Sequence, residues 1–374
     1  MKKFEAQKIL VTGANGFIGR NLAQWLRDET GAEILEFVRG DSLDALENMV
    51  LSASKIVHLA GVNRPRDLDD FNTDNIELTR KLCSILCDSG LHIPLIFISS
   101  SQAELSNPYG ISKLTAENLV GELADKTHLP VTIFRLPGIF GKWSKPNYNS
   151  VVATFCFNIA RNYDVEIHDR NVNIDLCFID DLNKDIAASL DNQTPGLSWG
   201  RLSKVYSTTI GDLADQIYAF KSSRVNLISE RVGTDFVRAL YSTYVSFLPV
   251  EEFVYDLPIN GDERGIFVEM LKTPDCGQFS FFTIRPGVTR GSHYHHTKTE
   301  KFIVVKGFAI MRYRDLVTQE IVEIKVSEEK PQIVDSIPGW VHDITNVGDS
   351  ELIAMLWANE IYDPESPDTI GQLV

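Results

Sequence analysis

No stretch of this sequence stays apolar long enough to cross a bilayer, and nowhere do two cysteines stand in a CxxC pair. There is no low-complexity segment and no surplus of positive charge: 36 Lys and Arg face 51 Asp and Glu, a formal net charge of -15. That balance excludes non-specific binding to the phosphate backbone of nucleic acid, while leaving room for a local cluster of Arg and main-chain N–H groups that holds a small anion. Five scattered cysteines, Cys83, Cys87, Cys156, Cys177 and Cys276, read as buried thiols of a reducing compartment. Met1-Lys2-Lys3-Phe4 leads straight into a strand pattern without a signal-peptide core, so a cytoplasmic protein is expected.

What is present is ordinary globular composition, 44% hydrophobic and 23% charged, over 374 residues, enough for two or three domains. Up to about residue 220 short β-rich runs alternate with helical spacing. Lys8–Thr12, Ile34–Val38, Lys55–Leu59, Leu95–Ser99 and Val131–Arg135 read as strands. Phe17–Arg27 and the stretches 72–88 and 109–126 read as helices. Such alternation predicts a Rossmann-type, doubly wound parallel sheet covered on both faces. Beyond about Phe247 the texture becomes short alternating runs, such as Gln278–Ile284 and 301–305, cut by Gly, Pro and Asp turns. That predicts an all-β sandwich or barrel. The boundary is expected near 245, giving domains 1–245 and 246–374.

Thr12-Gly13-Ala14-Asn15-Gly16-Phe17-Ile18-Gly19 follows the first strand and opens the first helix. Glycines there permit a tight turn, close approach of a pyrophosphate and close helix–strand packing, with the helix N–H groups facing the phosphates. The spacing resembles the TGxxGFIG segment of extended short-chain dehydrogenase/reductases. The resemblance places Gly13, Asn15, Gly16, Phe17, Ile18 and Gly19 against a dinucleotide. It adds Leu59 and Ala60 from Val57-His58-Leu59-Ala60-Gly61, which is similar to the family's HxAG segment. At the end of the second strand stands Arg39 rather than an acidic residue, which suits a ribose 2′-phosphate and so NADPH.

Tyr109 and Lys113 are four apart and share one helix face. A phenol titrates near ~10 unaided, and a neighbouring ammonium is expected to lower it, so that it can give a proton to a ketone oxygen as hydride reaches the carbon. Ser99-Ser100-Ser101 follows a strand and can hold that oxygen. Register against the family makes Ser101 the catalytic serine, with Ser100 as the alternate. Asn75 falls at the family's helix asparagine, and His58 reads as a packed strand residue. Arg135 opens a segment similar to RxxNxxG, with Gly138 in place of the Asn. Related 4,6-dehydratases carry an Asp-Glu pair after the serine; Gln102-Ala103 stands here, so reduction or 4-epimerisation is expected instead of elimination of water.

In the second half, Gly287…His293-Tyr294-His295…Glu300…Gly307 and Pro338-Gly339…His342…Asn346 resemble the two cupin motifs. Residues two apart on a strand face one way, so His293 and His295 can point into the barrel and meet Glu300 and His342 from adjoining strands. Three His and one Glu suit a divalent transition metal, with Zn²⁺ the expected ion. His296 is the spare. Asp262–Glu269 and Arg290–Tyr294 resemble segments of dTDP-4-keto-6-deoxyhexose epimerases, which implies a phosphate-binding role for Arg264.

Over its full length the chain resembles the bifunctional enzymes of UDP-N-acetyl-L-fucosamine synthesis, on runs that include 61–65 with Arg64, 145–150 and 295–298. The resemblance implies a UDP-2-acetamido-2,6-dideoxy-4-hexulose as substrate, the corresponding L-talose as product, and a homodimer. Arg64 and Arg264 are the expected substrate contacts. Two rival readings stand beside it: a nucleotide-sugar 4-epimerase with a purely structural cupin, and a non-enzymatic NADPH sensor.

Overall fold

A computed structural model of the chain describes residues 7–65, 67, 69–257, 259–262, 265–268, 271, 277–360 and 365–374. Arg264 and Cys276 lie outside them. Contacts divide the chain into two compact units, Met1–Ser150 with Ile174–Ser207, and Val151–Asn173 with Thr208–Val374.

The first unit is built on six parallel strands in the order Glu33–Phe37, Lys8–Thr12, Lys55–His58, Leu95–Ser100, Pro130–Leu136, Gly196–Trp199. The central strands are near-continuous apolar runs, and Ile9, Leu10, Val11, Ile56 and Val57 are fully buried. This is what a parallel sheet covered by helices on both faces demands. Lys8–Thr12 has neighbours on both sides that come later in the chain, so the strand order reverses beside it. In open α/β sheets a crevice opens at the carboxyl ends of the strands at such a point. Gly13, Leu59 and Ser100 all sit at those ends.

Two helices position this crevice. Phe17–Thr30 starts at Gly16 and stops at Gly31, whose φ of 73° is left-handed. Pro108–Thr127 carries proline at its start and is capped by Asn107, whose side chain accepts from the Gly110 N–H at 2.8 Å. The expected helix at 72–88 divides into a wide π-type segment, Phe71–Glu77, and an α-helix, Leu78–Ser89.

The second unit has two five-stranded antiparallel sheets, consistent with a cupin-like β domain. One runs Val254–Asp256, Gln332–Asp335, Glu300–Lys306, Leu352–Ala358, Gln278–Ile284. The other runs Ile321–Ser327, Phe308–Asp315, Trp340–Asn346, Thr289–Tyr294, Ile370–Gly371. Helices Ile210–Asn226 and Asp235–Ser246 belong to this same unit by contact, although the sequence texture changes only near 245. Leu227, just past the first of them, packs with Leu257, Ile303 and Ile333. From the same helix Arg224 reaches Asp335 at 2.6 Å, and Lys301 meets the other oxygen of Asp335 at 2.7 Å.

Cys156 and Cys177 are buried and Cys83 is half-buried, as expected of structural thiols; Cys87 is exposed. Among the described residues no helix is long and apolar enough to cross a membrane.

Candidate functional site

The Gly-rich turn is as tight as its spacing suggests. Gly13 has φ 69°, and a Cβ added there would meet the Cα of Ala60 at 2.9 Å. A Cβ at Gly19 would stand 2.3 Å from the Gly13 carbonyl oxygen. The helix that follows has no side-chain cap, so its leading N–H groups face outward with the positive end of the helix dipole. Asn15 and Gly16 are exposed above them, and Phe17 and Ile18 are half-buried. A bare backbone cradle ahead of an uncapped helix fits a pyrophosphate.

The neighbouring strand end is fixed by one hydroxyl. Thr12 Oγ1 accepts from the N–H groups of Leu59 and Ala60, each at 3.2 Å, and lies 2.6 Å from His58 Nδ1. The other ring nitrogen of His58 meets Thr79 Oγ1 at 3.0 Å. Burial, with the nearby Lys113 ammonium second, pushes the His58 pKa down to about 3. His58 is therefore a neutral packing residue. Asn75 also serves the framework: its amide closes on both main-chain groups of Val62, at 2.7 and 3.0 Å, and donates to Ser112 Oγ at 2.9 Å. It thus ties the loop after the HxAG-like segment to the helix that carries Tyr109.

Tyr109 lies on the first turn of that helix. Burial pushes its phenol pKa up, and a hydrogen bond with the Ser100 side chain draws it part of the way back. Here the structure differs from the register expectation. Ser100 ends its strand half-buried and reaches the phenol, whereas Ser101 opens a short 3₁₀ turn and is exposed. Lys113 is buried on the same helix. Its Nζ donates to the Ile98 carbonyl at 2.8 Å, and burial lowers its pKa to about 8.

Arg39 is exposed at the end of its strand and forms an ion pair with Asp74. Arg64 is exposed, its guanidinium 5.8 Å from the Tyr148 ring centre, and no acidic partner meets it among the described residues. Arg135 is taken up by a fork onto the buried Glu117, at 2.9 and 2.6 Å, and by Glu104. Gly138 is exposed, and a Cβ added there would stand 3.1 Å from a terminal methyl of Leu176.

In the β-rich unit the four expected ligands converge. One donor atom from each of His293, His295, Glu300 and His342 lies within 4.8 Å of the other three. The Thr289–Tyr294 strand carries a register shift between Gly291 and His293, with Ser292 at φ 56°, and His293 then pairs with His342 on the next strand. The ring centres of His293, His295 and His342 lie 4.9–5.2 Å apart. Glu300 Oε2 is 3.1 Å from His295 Nε2 and 3.5 Å from His342 Nε2. Burial and the other imidazoles press the His293 pKa down to about 3, and burial lowers that of His342 as well. Three imidazoles and one carboxylate around a common point form a donor set suited to a divalent transition ion. His296 packs edge-on against Tyr294, outside the cluster.

Two neighbours of this cluster were not apparent in the sequence. Lys298 lies with its Nζ 2.9 Å from Glu300 Oε1. Asp368 accepts through its main-chain oxygen from His295 Nδ1 at 2.6 Å. Lys298 closes the run 295–298, which does not disclose its contact with Glu300, and no short motif marks Asp368. Asp368 comes some 70 residues after its partners, and a link of that kind is settled by strand pairing.

Residues 9–198 match the NAD dependent epimerase/dehydratase family, and residues 260–370 match the polysaccharide biosynthesis C-terminal domain. Over 362 residues the sequence is 50% identical to the UDP-2-acetamido-2,6-beta-L-arabino-hexul-4-ose reductase of Pseudomonas aeruginosa, a match that covers 97% of each chain. Among solved structures, the capsular polysaccharide assembling protein CapF of Staphylococcus aureus is 40% identical at a TM-score of 0.66, covering 98% of this chain and 100% of that one. The UDP-glucuronic acid 4-epimerase of Bacillus cereus in complex with NAD is 22% identical over 57% of this chain and 84% of that one, at a TM-score of 0.51, a likeness of fold.

Proposed function

This chain belongs to the NAD dependent epimerase/dehydratase family, and we propose that it performs two successive reactions on one UDP-activated keto-amino-sugar. The substrate is a UDP-2-acetamido-2,6-dideoxy-4-hexulose. The cupin-like half, 246–374, epimerises C3, and the half 1–245 then reduces C4 to give UDP-2-acetamido-2,6-dideoxy-L-talose, the precursor of UDP-N-acetyl-L-fucosamine. One observation carries the reading. A single chain holds a phenol, a serine hydroxyl and a buried lysine at the carboxyl ends of a dinucleotide-type sheet, and a three-His, one-Glu cluster in its β-rich unit. A reductase named for such a keto-sugar aligns with it across both halves.

In the reductase half the main chain at Gly13, Gly16 and Gly19 cradles the pyrophosphate, and Arg39 meets the 2′-phosphate. NADPH held there would supply hydride to C4. Tyr109 gives its proton to the C4 oxygen as the alcohol forms, and the Ser100 hydroxyl orients that oxygen against the phenol. Lys113 holds positive charge beneath the site. In the cupin-like half His293, His295, Glu300 and His342 hold the metal ion, zinc on this reading, which supplies Lewis acidity to the substrate's carbonyl.

Chemistry fixes the order. The C3 hydrogen leaves as a proton because the adjacent C4 ketone delocalises the resulting charge as an enolate. Reduction of C4 removes that acidity, so epimerisation comes first. The reading further places the protein in the cytoplasm as a homodimer.

The test is NMR of the purified protein with a UDP-4-keto-6-deoxy-HexNAc, with and without NADPH. The expected result is one C4-reduced, C3-inverted product with one NADPH oxidised per molecule formed. Conversion between C4 epimers with no net NADPH consumption would overturn it in favour of a 4-epimerase.

A further inference from the structure

We infer that Asp368 is the positioning residue of the metal-binding loop, holding His295 and the residues after it in place from a segment distant in sequence. The inference rests on the metal reading given above and adds to it the device that preorganises the ligands.

The contacts converge on one short turn. His295 Nδ1 donates to the main-chain oxygen of Asp368 at 2.6 Å, which fixes the tautomer and leaves Nε2 as the atom directed at Glu300 and the cluster. Metal-binding imidazoles are commonly oriented by such a bond from their second nitrogen to a carbonyl or carboxylate. The carboxylate of the same residue then takes up the next three main-chain N–H groups: His296 at 2.8 Å, Thr297 at 2.7 Å and Lys298 at 2.7 Å, with the Thr297 hydroxyl at 2.9 Å. Four donors onto one half-buried carboxylate hold this turn, because charge-assisted hydrogen bonds of this kind are short and strong.

The residues after Asp368 extend the grip to the remaining ligands on this side. Ile370–Gly371 pairs with the ligand strand, setting Gly371 opposite His293, and the Gln372 N–H donates to the Ser292 carbonyl at 2.8 Å. Thr369 Oγ1 accepts from Lys298 Nζ at 3.3 Å, and that ammonium meets Glu300 at 2.9 Å. One segment therefore touches His293 by strand pairing, His295 through a carbonyl, and Glu300 through Lys298. The carbonyl cannot itself be substituted. Its position depends on the side chain, which anchors the segment to the loop, and the side chain can be changed.

The experiment uses the full chain carrying Asp368→Asn and, separately, Thr297→Val. Zinc affinity is measured by competition with a chromophoric chelator, and the coordination geometry is read from the visible bands of the cobalt(II)-loaded protein. Asp368→Asn replaces one acceptor oxygen with a donor facing main-chain N–H. The expected result is a roughly 10- to 100-fold loss of zinc affinity with altered cobalt bands. Thr297→Val removes one donor and is expected to move both readouts less, in the same direction. NADPH binding on the same samples is expected to stay at the wild-type value and reports on the reductase half, while wild-type far-UV circular dichroism reports that the β-rich unit has folded. Wild-type zinc affinity and unaltered cobalt bands in both variants would overturn the inference alone. A wild-type chain that binds neither ion would overturn the metal reading and this inference with it.

Discussion

The ammonium of Lys113 lies 2.8 Å from the main-chain oxygen of Ile98, buried beneath the turn that carries Tyr109. Burial is the main reason its pKa falls to about 8. The folded chain therefore binds fewer protons at this group than the unfolded chain between about pH 8 and the ordinary lysine value of ~10.4, so its contribution to stability rises with pH through that window. Below about pH 8 its cost is fully present. Lys113→Met should therefore stabilise the fold at pH 7, by about 1–3 kcal/mol after allowing for the bond lost at Ile98, while reduction falls by roughly 100-fold or more. Urea unfolding without cofactor and NADPH oxidation check the two halves of this expectation. A variant both less stable and still active would contradict it.

Tyr109→Phe should abolish NADPH oxidation with little change in NADPH affinity, because the proton donor alone is removed. The two serines separate in the same assay. Ser100→Ala should lower kcat by roughly 10- to 100-fold, and Ser101→Ala should cost less, because Ser100 is the hydroxyl in contact with the phenol. A larger loss at Ser101 would restore the assignment by family register.

Arg39 and Asp74 form an exposed ion pair at the mouth of the dinucleotide cradle. On the NADPH reading, a 2′-phosphate would share or displace that carboxylate. Arg39→Asp should move the ratio of kcat/KM for NADPH over NADH towards NADH by roughly 10-fold or more, and Asp74→Asn should tighten NADPH binding several-fold. If neither ratio nor affinity moves, discrimination lies elsewhere.

These sites were legible where chemistry depends on spacing along one element. The Gly13, Gly16 and Gly19 turn, the Tyr109 and Lys113 pair and the run from His293 through His295 to Glu300 each combine short separations with a strand or helix whose period was visible, and His342 stood in a second motif of its own. What escaped depends on how elements end or on distant contacts. Ser100 and Ser101 differ by one residue at a strand terminus, the least certain part of any sequence reading. The placing of Lys113 against Ile98 reflects the depth of a helix against a sheet, which spacing does not encode. Arg39 reaches Asp74 across 35 residues. Arg224, on a helix that reads as part of the first domain, closes on Asp335 in the β-rich unit across 111 residues. Asp368 falls in a stretch whose composition reads as an ordinary turn.

The division of labour between the two halves is tested most directly by deuterium incorporation at C3 of the 4-keto-sugar in heavy water, without NADPH, followed by NMR in the wild-type chain, Tyr109→Phe and His295→Ala. The account predicts exchange at the wild-type rate in Tyr109→Phe, because the phenol belongs to the later step, and exchange suppressed in His295→Ala, which loses a ligand of the cluster. Both variants should retain NADPH binding. Exchange lost in Tyr109→Phe and retained in His295→Ala would contradict the account by placing epimerisation in the reductase half.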